Sequence, residues 1–195
     1  MLILVRHGRT QANREGRLQG RLDQALDAHG QRQATAVAAY VRDRCDVDVV
    51  VSSPLKRAAQ TAAAFGLPVE TDDRWMELSY GEYEGTPHTD VPSEIWSQWR
   101  DDPHFTPAGG ESLAALDVRV RSACNDLLAR ARETNIVVVS HVSPMKSAVA
   151  WALGVGIGIS FNCHLDHASV CRIAIRGDRP VLQTFNETAP IPPIS

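Results

Sequence analysis

The chain opens with MLILVRHGRT, residues 1–10, where four apolar residues at 2–5 run directly into Arg6, His7 and Gly8. A short and continuous apolar run is typical of a strand that is buried on both faces of a sheet. We therefore predict a buried strand at residues 2–5, whose carboxyl end carries a guanidinium and an imidazole.

Two other apolar runs, residues 47–51 and 136–139, have the same character and also end in polar residues. Amphipathic or capped segments separate the runs, so we predict helices at 30–44, 53–66 and 112–133 and another that starts at Ser143-Pro144. Strands that alternate with helices indicate an α/β fold, a three-layer sandwich with a mostly parallel central sheet and helices on both faces.

The remaining segments complete a single domain that spans residues 1–195. We predict an edge strand at 68–71, closing strands at 169–175 and 181–185, and a loose proline-rich tail at 187–195. Residues 80–110 combine prolines, tryptophans and histidines without a regular period. This composition predicts an irregular excursion, or lid, with a short helix at 93–100.

Composition and charge exclude several classes of function. A net charge of −3 argues against a nucleic acid or an anionic membrane as the partner. No segment approaches the ~20 apolar residues of a membrane span. The four cysteines are scattered without CxxC or zinc-like spacing, which favours reduced thiols and a cytoplasmic location.

Local charge differs from that of the whole chain at residues 6–21. This stretch holds a single acid, Glu15, and five arginines: Arg6, Arg9, Arg14, Arg17 and Arg21. The cluster indicates either a site for a small anion or a solvated basic loop, and composition alone leaves both interpretations open.

The carboxyl ends of parallel strands meet at one edge of a sheet, where ligands bind in this class of fold. Arg6 and His7 follow the first predicted strand, His141 follows the third, and Arg57 lies in the first turn of the helix after the second. Two helix N-termini would point at the same edge, at Ser53-Pro54 and Ser143-Pro144. Guanidinium forks and imidazoles favour phosphate here, although a carboxylate would also be bound.

Hydrolysis of a phosphate monoester needs charge stabilisation and a positioned nucleophile. The sequence has no Walker loop, and the histidines of His164-Leu165-Asp166-His167 are more typical of structural residues than of metal ligands. We therefore expect neither metal nor cofactor, and a neutral imidazole, His7, as the attacking group. Nearby guanidinium charges disfavour the protonated form of His7.

Several motifs, in the same order, resemble the histidine phosphatase superfamily, which is also called phosphoglycerate-mutase-like. The stretch Val5-Arg6-His7-Gly8-Arg9-Thr10 is similar to its RHG motif, and Asn13 stands six residues after the histidine. Residues 18–34 resemble its next block. Its arginine motif, glutamate motif and entry into the long helix are matched by residues 52–61, 77–85 and 109–112. The resemblance covers nearly the whole chain and implies this fold and a phosphatase activity.

The resemblance also implies roles for particular residues. His7 would be the nucleophile, and Glu77 would protonate the leaving oxygen and then activate water, since one group serves both half-reactions. Glu82 and Glu84 are weaker candidates for the role of Glu77 and are otherwise solvated loop carboxylates. The phosphoryl group would be held by Arg6, Asn13, Arg57, His141 and the backbone N–H of Val142.

Two features concern the substrate. Val142 stands where the family usually has glycine, so its branched side chain narrows the approach to the backbone N–H. The excursion at 80–110 would cover the pocket. Candidate contacts to the leaving group are Gln19, Glu82, His88, Trp96, Trp99, His104 and Phe105. For the tryptophans, the alternative is a small packed core within the lid.

We expect a phosphatase that hydrolyses a small phosphorylated metabolite through a phosphohistidine. A phosphoglycerate mutase uses the same core, but mutases of this family usually carry longer insertions. A pseudoenzyme that only binds a phosphorylated ligand is disfavoured by the complete set of site residues. Residues 140–144 also resemble α-ribazole-5′-phosphate phosphatases and broad-specificity members of the family, and both substrate assignments stay open. A homodimer is left open as the assembly state.

Overall fold

The computed structural model describes residues 1–191, whose centre is a six-stranded mixed sheet. The strands are β1 (Leu2–Arg6), β2 (Val49–Ser52), β3 (Val69–Thr71), β4 (Ile136–Ser140), β5 (Ser169–Arg176) and β6 (Arg179–Thr188). Their order is β3-β2-β4-β1-β5-β6, in which the first four strands run parallel and β5 and β6 run antiparallel to their neighbours. The predicted, mostly parallel sheet is confirmed.

Helices cover both faces of the sheet. They are α1 (Gln11–Arg14), α2 (Ala28–Arg42), α3 (Lys56–Ala63), α4 (Ser93–Asp101), α5 (Leu113–Leu128) and α6 (Val142–Leu153). Because side chains alternate along a strand, Leu2 and Leu4 of β1 pack with α5 and α6, whereas Ile3 and Val5 pack with α2 and α3. This alternation forms two apolar cores and confirms the three-layer sandwich.

Some predicted helix starts are wrong. The helix predicted from Gly30 begins at Ala28, because Asp27 is its N-cap residue and accepts the N–H of Gly30. The helix predicted from Ser53 begins at Lys56, because the Ser53 hydroxyl accepts a hydrogen bond from the N–H of Leu55 and closes a turn ahead of the helix. The last helix, α6, begins at Val142 rather than after Ser143, so that His141 is its N-cap residue. Pro144 fits inside this first turn because the N–H that it lacks would have no partner within the helix.

Other predicted boundaries are also wrong. The helices predicted to end at residues 44 and 66 stop at Arg42 and Ala63. The helix predicted to reach residue 133 stops at Leu128 and is followed only by the 3₁₀ turn Arg130–Arg132. The tail predicted from residue 187 starts inside β6, where Glu187 pairs with Val170 and its carboxylate binds Arg172. Residues 192–195 of that tail lie outside the described part of the chain.

The lid at residues 80–110 contains the predicted short helix, α4, and has a core of its own. Trp99 is buried there with Leu18 and Val91. The rings of Tyr80 and Tyr83 meet Trp99 edge-on, with centroids 5.5 and 5.7 Å away. No helix within residues 1–191 is long and apolar enough to cross a membrane.

Candidate active site

The carboxyl ends of β1, β2 and β4 meet at one edge, as the register of the parallel strands requires. Arg6 lies opposite Ser140. The N–H of His7 donates to the carbonyl of Ser140 at 3.0 Å, and the N–H of Ser53 donates to the carbonyl of Val139 at 3.0 Å. The segments that follow the three strands therefore start side by side.

Close backbone packing fixes the loop after β1. A Cβ atom added to Gly8 would collide with the carbonyl oxygen of Gly30, and one added to Gly30 would collide with the backbone of Arg9. The N–H of Gly8 also donates to the hydroxyl of Thr61 at 3.1 Å. Both α2 and α3 thus anchor the backbone that carries His7.

The ring of His7 is buried, with 3% of the residue exposed. Its Nδ1 lies 2.7 Å from the carbonyl oxygen of Gly8, and because a carbonyl can only accept, Nδ1 must carry the proton. Nε2 is then the unprotonated nitrogen, and it accepts an N–H from Nε of Arg57 at 3.3 Å. Gly8 therefore selects the tautomer that nucleophilic attack through Nε2 requires.

Arg57, on the first turn of α3, links the two histidines and is 1% exposed. Its Nε also lies 3.2 Å from Nδ1 of His141. Its terminal nitrogens donate to the carbonyls of Leu22 at 2.8 Å and Gly20 at 2.7 Å. These contacts fix the plane of the guanidinium and leave further N–H groups to bind a ligand.

The ring of His141 is tilted against that of His7, with centroids 5.0 Å apart. Because Nδ1 of His141 accepts from Arg57, its Nε2 carries the proton and donates to the hydroxyl of Ser53 at 2.8 Å. Ser53 and Arg57 thus hold His141 in one tautomer behind the guanidinium.

Burial lowers the pKa of both His7 and His141 well below the ordinary value, and the charge of Arg57 lowers it further. Burial also lowers the pKa of Arg6, to about 10, which still leaves this guanidinium charged at neutral pH. Arg6 is oriented by a bond of 2.6 Å from Nη1 to the carbonyl of Leu165. The site combines two neutral imidazoles with two guanidinium charges.

The carboxylate of Glu77 is held at the N-terminus of α6. Its Oε2 accepts the N–H of Val142 at 3.1 Å, and its Oε1 accepts those of Ser143 at 3.2 Å and Leu78 at 2.8 Å. The first N–H groups of a helix attract anions, which explains why the first turn of α6 binds the carboxylate of Glu77.

Both helix N-termini that were predicted to face the ligand bind carboxylates of the chain itself. The N–H of Val142, expected to meet phosphate, contacts Glu77. At the start of α3, the N–H of Lys56 donates to Asp23 at 2.7 Å. The groups left to hold a phosphoryl group are therefore mainly side chains.

Arg119 of α5 holds the segment that leads into Glu77. Its Nη1 donates to the carbonyls of Arg74 at 2.7 Å and Met76 at 2.8 Å, and its Nη2 donates to the carbonyl of Glu77 at 3.3 Å. Glu111 binds the same guanidinium through two contacts of 2.8 Å. The backbone of Glu77 is thus tied to the long helix.

A cavity of about 250 Å³, here called the catalytic cavity, opens over these groups. The predicted site residues that line it are Arg6, His7, Asn13, Gln19, Arg57, Glu77, Trp96 and Val142. His141 is fully buried and lies behind Arg57. Glu82 is exposed and Trp99 is buried in the lid core, so neither lines this cavity.

Asn13 and Gln19 are both oriented by Thr10. Oδ1 of Asn13 accepts the N–H of Thr10 at 3.1 Å, and Oε1 of Gln19 accepts its hydroxyl at 2.9 Å. Since the oxygens are engaged, each amide presents its NH₂ group as the donor for a ligand. Glu84, the other weak candidate for the acid, instead accepts the N–H groups of Arg21 and Tyr80.

The arginines at residues 6–21 are interpreted from the sequence either as a site for a small anion or as a solvated basic loop, and the structure shows some of each. Arg6 and Arg17 line the catalytic cavity, whereas Arg9 pairs with Asp27 and Arg21 pairs with Glu111. Arg14 is exposed. The cluster is therefore part anion site and part solvated loop.

Within residues 1–191, no group of three or more His, Cys, Asp and Glu side chains is placed to hold a metal ion. His164 and Asp166, from the one metal-like stretch of the sequence, contact each other at 3.2 Å on the surface. Independence of metal stays a prediction.

The sequence prediction missed three residues of the site. Ser53 binds His141, Arg119 holds the segment of Glu77, and Tyr80 lines the catalytic cavity. Tyr80 could have been found, since it lies three residues after Glu77 in the same motif. Arg119 lies in a regular amphipathic helix, where no local signal distinguishes it from a surface residue.

Known proteins resemble the chain throughout. The family model of the histidine phosphatase superfamily, branch 1, matches residues 2–188. A bifunctional protein of Mycobacterium tuberculosis is 36% identical over 87% of this chain and 48% of its own length, so the chain spans about half of that relative. Phosphoserine phosphatase 1 of Hydrogenobacter thermophilus is 35% identical over 96% of this chain and 92% of its own.

A solved structure of mycobacterial glucosyl-3-phosphoglycerate phosphatase in complex with VO3 has the same fold. Its TM-score is 0.85 at 30% identity, over 96% of this chain and 98% of that one.

Proposed function

The chain belongs to the histidine phosphatase superfamily, and we propose that it hydrolyses a small phosphate monoester through a phosphohistidine at His7. The observation that carries the proposal is the contact between Nε of Arg57 and the unprotonated Nε2 of His7 at 3.3 Å. This contact combines a neutral nucleophile with a fixed positive charge at one point of a buried cavity, as attack on a phosphate dianion requires.

The first half-reaction transfers the phosphoryl group to the enzyme. Nε2 of His7 forms a bond to phosphorus while the ester P–O bond breaks, and the carboxyl of Glu77 gives its proton to the leaving oxygen. Arg6 and Arg57 balance the charge on the phosphoryl oxygens together with the amide of Asn13, whereas His141, whose one N–H donates to Ser53, holds Arg57 from behind.

The second half-reaction releases phosphate. A water molecule attacks phosphorus and gives a proton to the carboxylate of Glu77, and the P–N bond to His7 breaks. His7 and Glu77 both return to their starting protonation states, so the cycle balances with the ester and one water molecule.

The substrate is proposed to be a small phosphorylated metabolite. Among the relatives, one is named a phosphoserine phosphatase and another a glucosyl-3-phosphoglycerate phosphatase, both of which release phosphate from an alcohol oxygen. An α-ribazole-5′-phosphate phosphatase is the alternative assignment, based on residues 140–144. The free cysteines Cys45, Cys124, Cys163 and Cys171 support a reducing compartment, the cytoplasm.

Phosphate release from 4-nitrophenyl phosphate tests the proposal. The wild type should release phosphate, and His7→Ala should lose activity on the order of 10³-fold or more. His29→Ala, in the first turn of α2 but outside the catalytic cavity, is the matched control and should keep full activity. Binding of inorganic phosphate without any turnover would identify a pseudoenzyme. Transfer between phosphoglycerates without net release would identify a mutase.

A further inference from the structure

A second cavity of about 250 Å³ adjoins the catalytic cavity and is here called the apolar cavity. Tyr80, Trp96 and Val142 line both cavities, so these three side chains form the boundary between them. The far walls of the apolar cavity include Leu113, Lys146 and Phe161. None of these far-wall residues has a place in the mechanism proposed above.

The chemistry of the reaction determines what must lie on this side of the site. In phosphoryl transfer the attacking and leaving atoms are in line on opposite sides of phosphorus, so the leaving group points away from His7. The leaving oxygen must also reach Glu77, whose carboxylate is bound to the N–H groups of Val142 and Ser143. Both of these residues also line the apolar cavity. The organic part of the substrate is therefore directed into it.

The walls of the apolar cavity are mostly rings and aliphatic groups. Trp96, Tyr80 and Phe161 contribute aromatic surface, and Leu113 contributes aliphatic surface. Phe161 is 42% exposed, so its ring is available to a ligand in the cavity. Surfaces of this kind bind flat apolar groups by burial and by stacking.

One cation stands among these apolar walls. The ammonium of Lys146, one helical turn after Val142, donates to the carbonyl of Ser160 at 2.6 Å. That is its single hydrogen bond within residues 1–191, and an ammonium has further N–H donors to offer. An anionic or strongly accepting group of a ligand would satisfy them.

We propose that the apolar cavity is the leaving-group subsite and selects phosphate monoesters whose organic part joins a flat apolar ring to a carboxylate or similar acceptor. The inference rests on the proposed phosphatase function and adds the substrate class to it. Phosphoserine matches only part of this subsite: it has a carboxylate for Lys146, but its leaving group has no ring to fill the space between the aromatic walls.

A matched set of esters tests the proposal with the complete chain. Propyl phosphate, benzyl phosphate and 4-carboxybenzyl phosphate are all esters of primary alcohols, so that ring and carboxylate are added one at a time. We expect kcat/KM to rise at least about tenfold from propyl to benzyl, and to rise again for the carboxybenzyl ester. O-phospho-L-serine should be a poorer substrate than benzyl phosphate.

Two variants separate the contributions of the walls. Lys146→Met should remove the gain from the carboxylate, measured as the ratio of kcat/KM for carboxybenzyl to benzyl phosphate. Trp96→Ala should reduce the ratio for benzyl to propyl phosphate. Lys56→Met, at an exposed lysine paired with Asp23, is the matched control and should change neither ratio.

The proposal is overturned if the wild type hydrolyses propyl and benzyl phosphate equally well, or if it prefers O-phospho-L-serine. It is also overturned if Lys146→Met leaves the carboxylate ratio unchanged. Failure of the phosphatase function itself would look different, because then none of the esters would release phosphate in a manner that depends on His7.

Discussion

Nε of Arg57 donates a hydrogen bond to Nε2 of His7 across 3.3 Å, although the two residues are 50 positions apart in the chain. The contact joins the loop after β1 to the first turn of α3. A second contact, of 3.2 Å, extends it to His141. One buried guanidinium therefore fixes the relative positions of both imidazoles, besides supplying charge to the phosphoryl group.

We predict that Arg57→Lys lowers kcat/KM by about tenfold or more, because an ammonium cannot keep the contacts of the guanidinium to both histidines and also bind phosphate. Steady-state kinetics on 4-nitrophenyl phosphate measure the effect. Arg44→Lys, an exposed arginine stacked on Tyr40, is the control and should be neutral. Near-normal kcat/KM in Arg57→Lys would place Arg57 outside the phosphate site.

Stability should fall as the pH falls below about 6.5, the ordinary pKa of histidine. Burial and the charge of Arg6 lower the pKa of His167 to about 4 in the folded chain, and His7 and His141 are also shifted well down. Between the ordinary pKa of histidine and the lowered pKa in the folded chain, the unfolded chain binds more protons than the folded chain. Each histidine then costs up to about 1.4 kcal/mol of unfolding free energy per pH unit.

Urea unfolding at pH 7, 6 and 5 measures this dependence. His167→Gln should make the decline less steep, since one shifted imidazole is removed, and it does so without touching His7 or His141. An equally steep decline in this variant would show that His167 is protonated alike in the folded and unfolded chains.

Trp96 and Trp99 should respond differently to replacement by alanine. Trp99 is 2% exposed and forms the lid core, so Trp99→Ala should cost about 3–5 kcal/mol of the lid's packing. Trp96 lines both cavities, so Trp96→Ala should change the ranking of substrates and keep hydrolysis of a small activated ester. Thermal unfolding and a substrate panel distinguish the two effects. Unchanged ranking in Trp96→Ala would reduce this residue to a packing role.

Chelation should leave activity intact, because the proposed cycle uses only side chains of the chain. The measurement is the rate of phosphate release before and after dialysis against EDTA. A loss of turnover that a divalent cation restores would contradict the metal-free mechanism.

The sequence predicted the sheet, its faces and most of the site because these depend on local patterns. The apolar runs and the residues that follow them identified Arg6, His7 and His141 at one edge. Contacts between distant segments were not predictable in this way. The seat of Glu77 on the first turn of α6 depends on where that helix begins, and His141 rather than Ser143 is its cap.

The side-chain partners of residues in the lid and in α5 could not be predicted from the sequence either. A stripe of tryptophans predicts either a lid contact or a packed core, and the structure shows both: Trp96 lines both cavities, whereas Trp99 fills the lid core and also lines the apolar cavity. The role of Arg119 depends on carbonyl groups some 40 residues earlier, of which Met76 is 43 positions away. No spacing rule along the chain encodes such a contact.

The central claim is that phosphate passes through a covalent bond to His7. Brief incubation with ³²P-labelled substrate, followed by rapid quenching and peptide mapping, tests it most directly. We predict a label on the peptide of His7 that is labile in acid and comparatively stable in base. It should accumulate further in Glu77→Gln when the leaving group is a good one, and it should be absent from His7→Ala. An acid-stable label on Ser52 or Ser53, or full turnover by His7→Ala, would contradict the account.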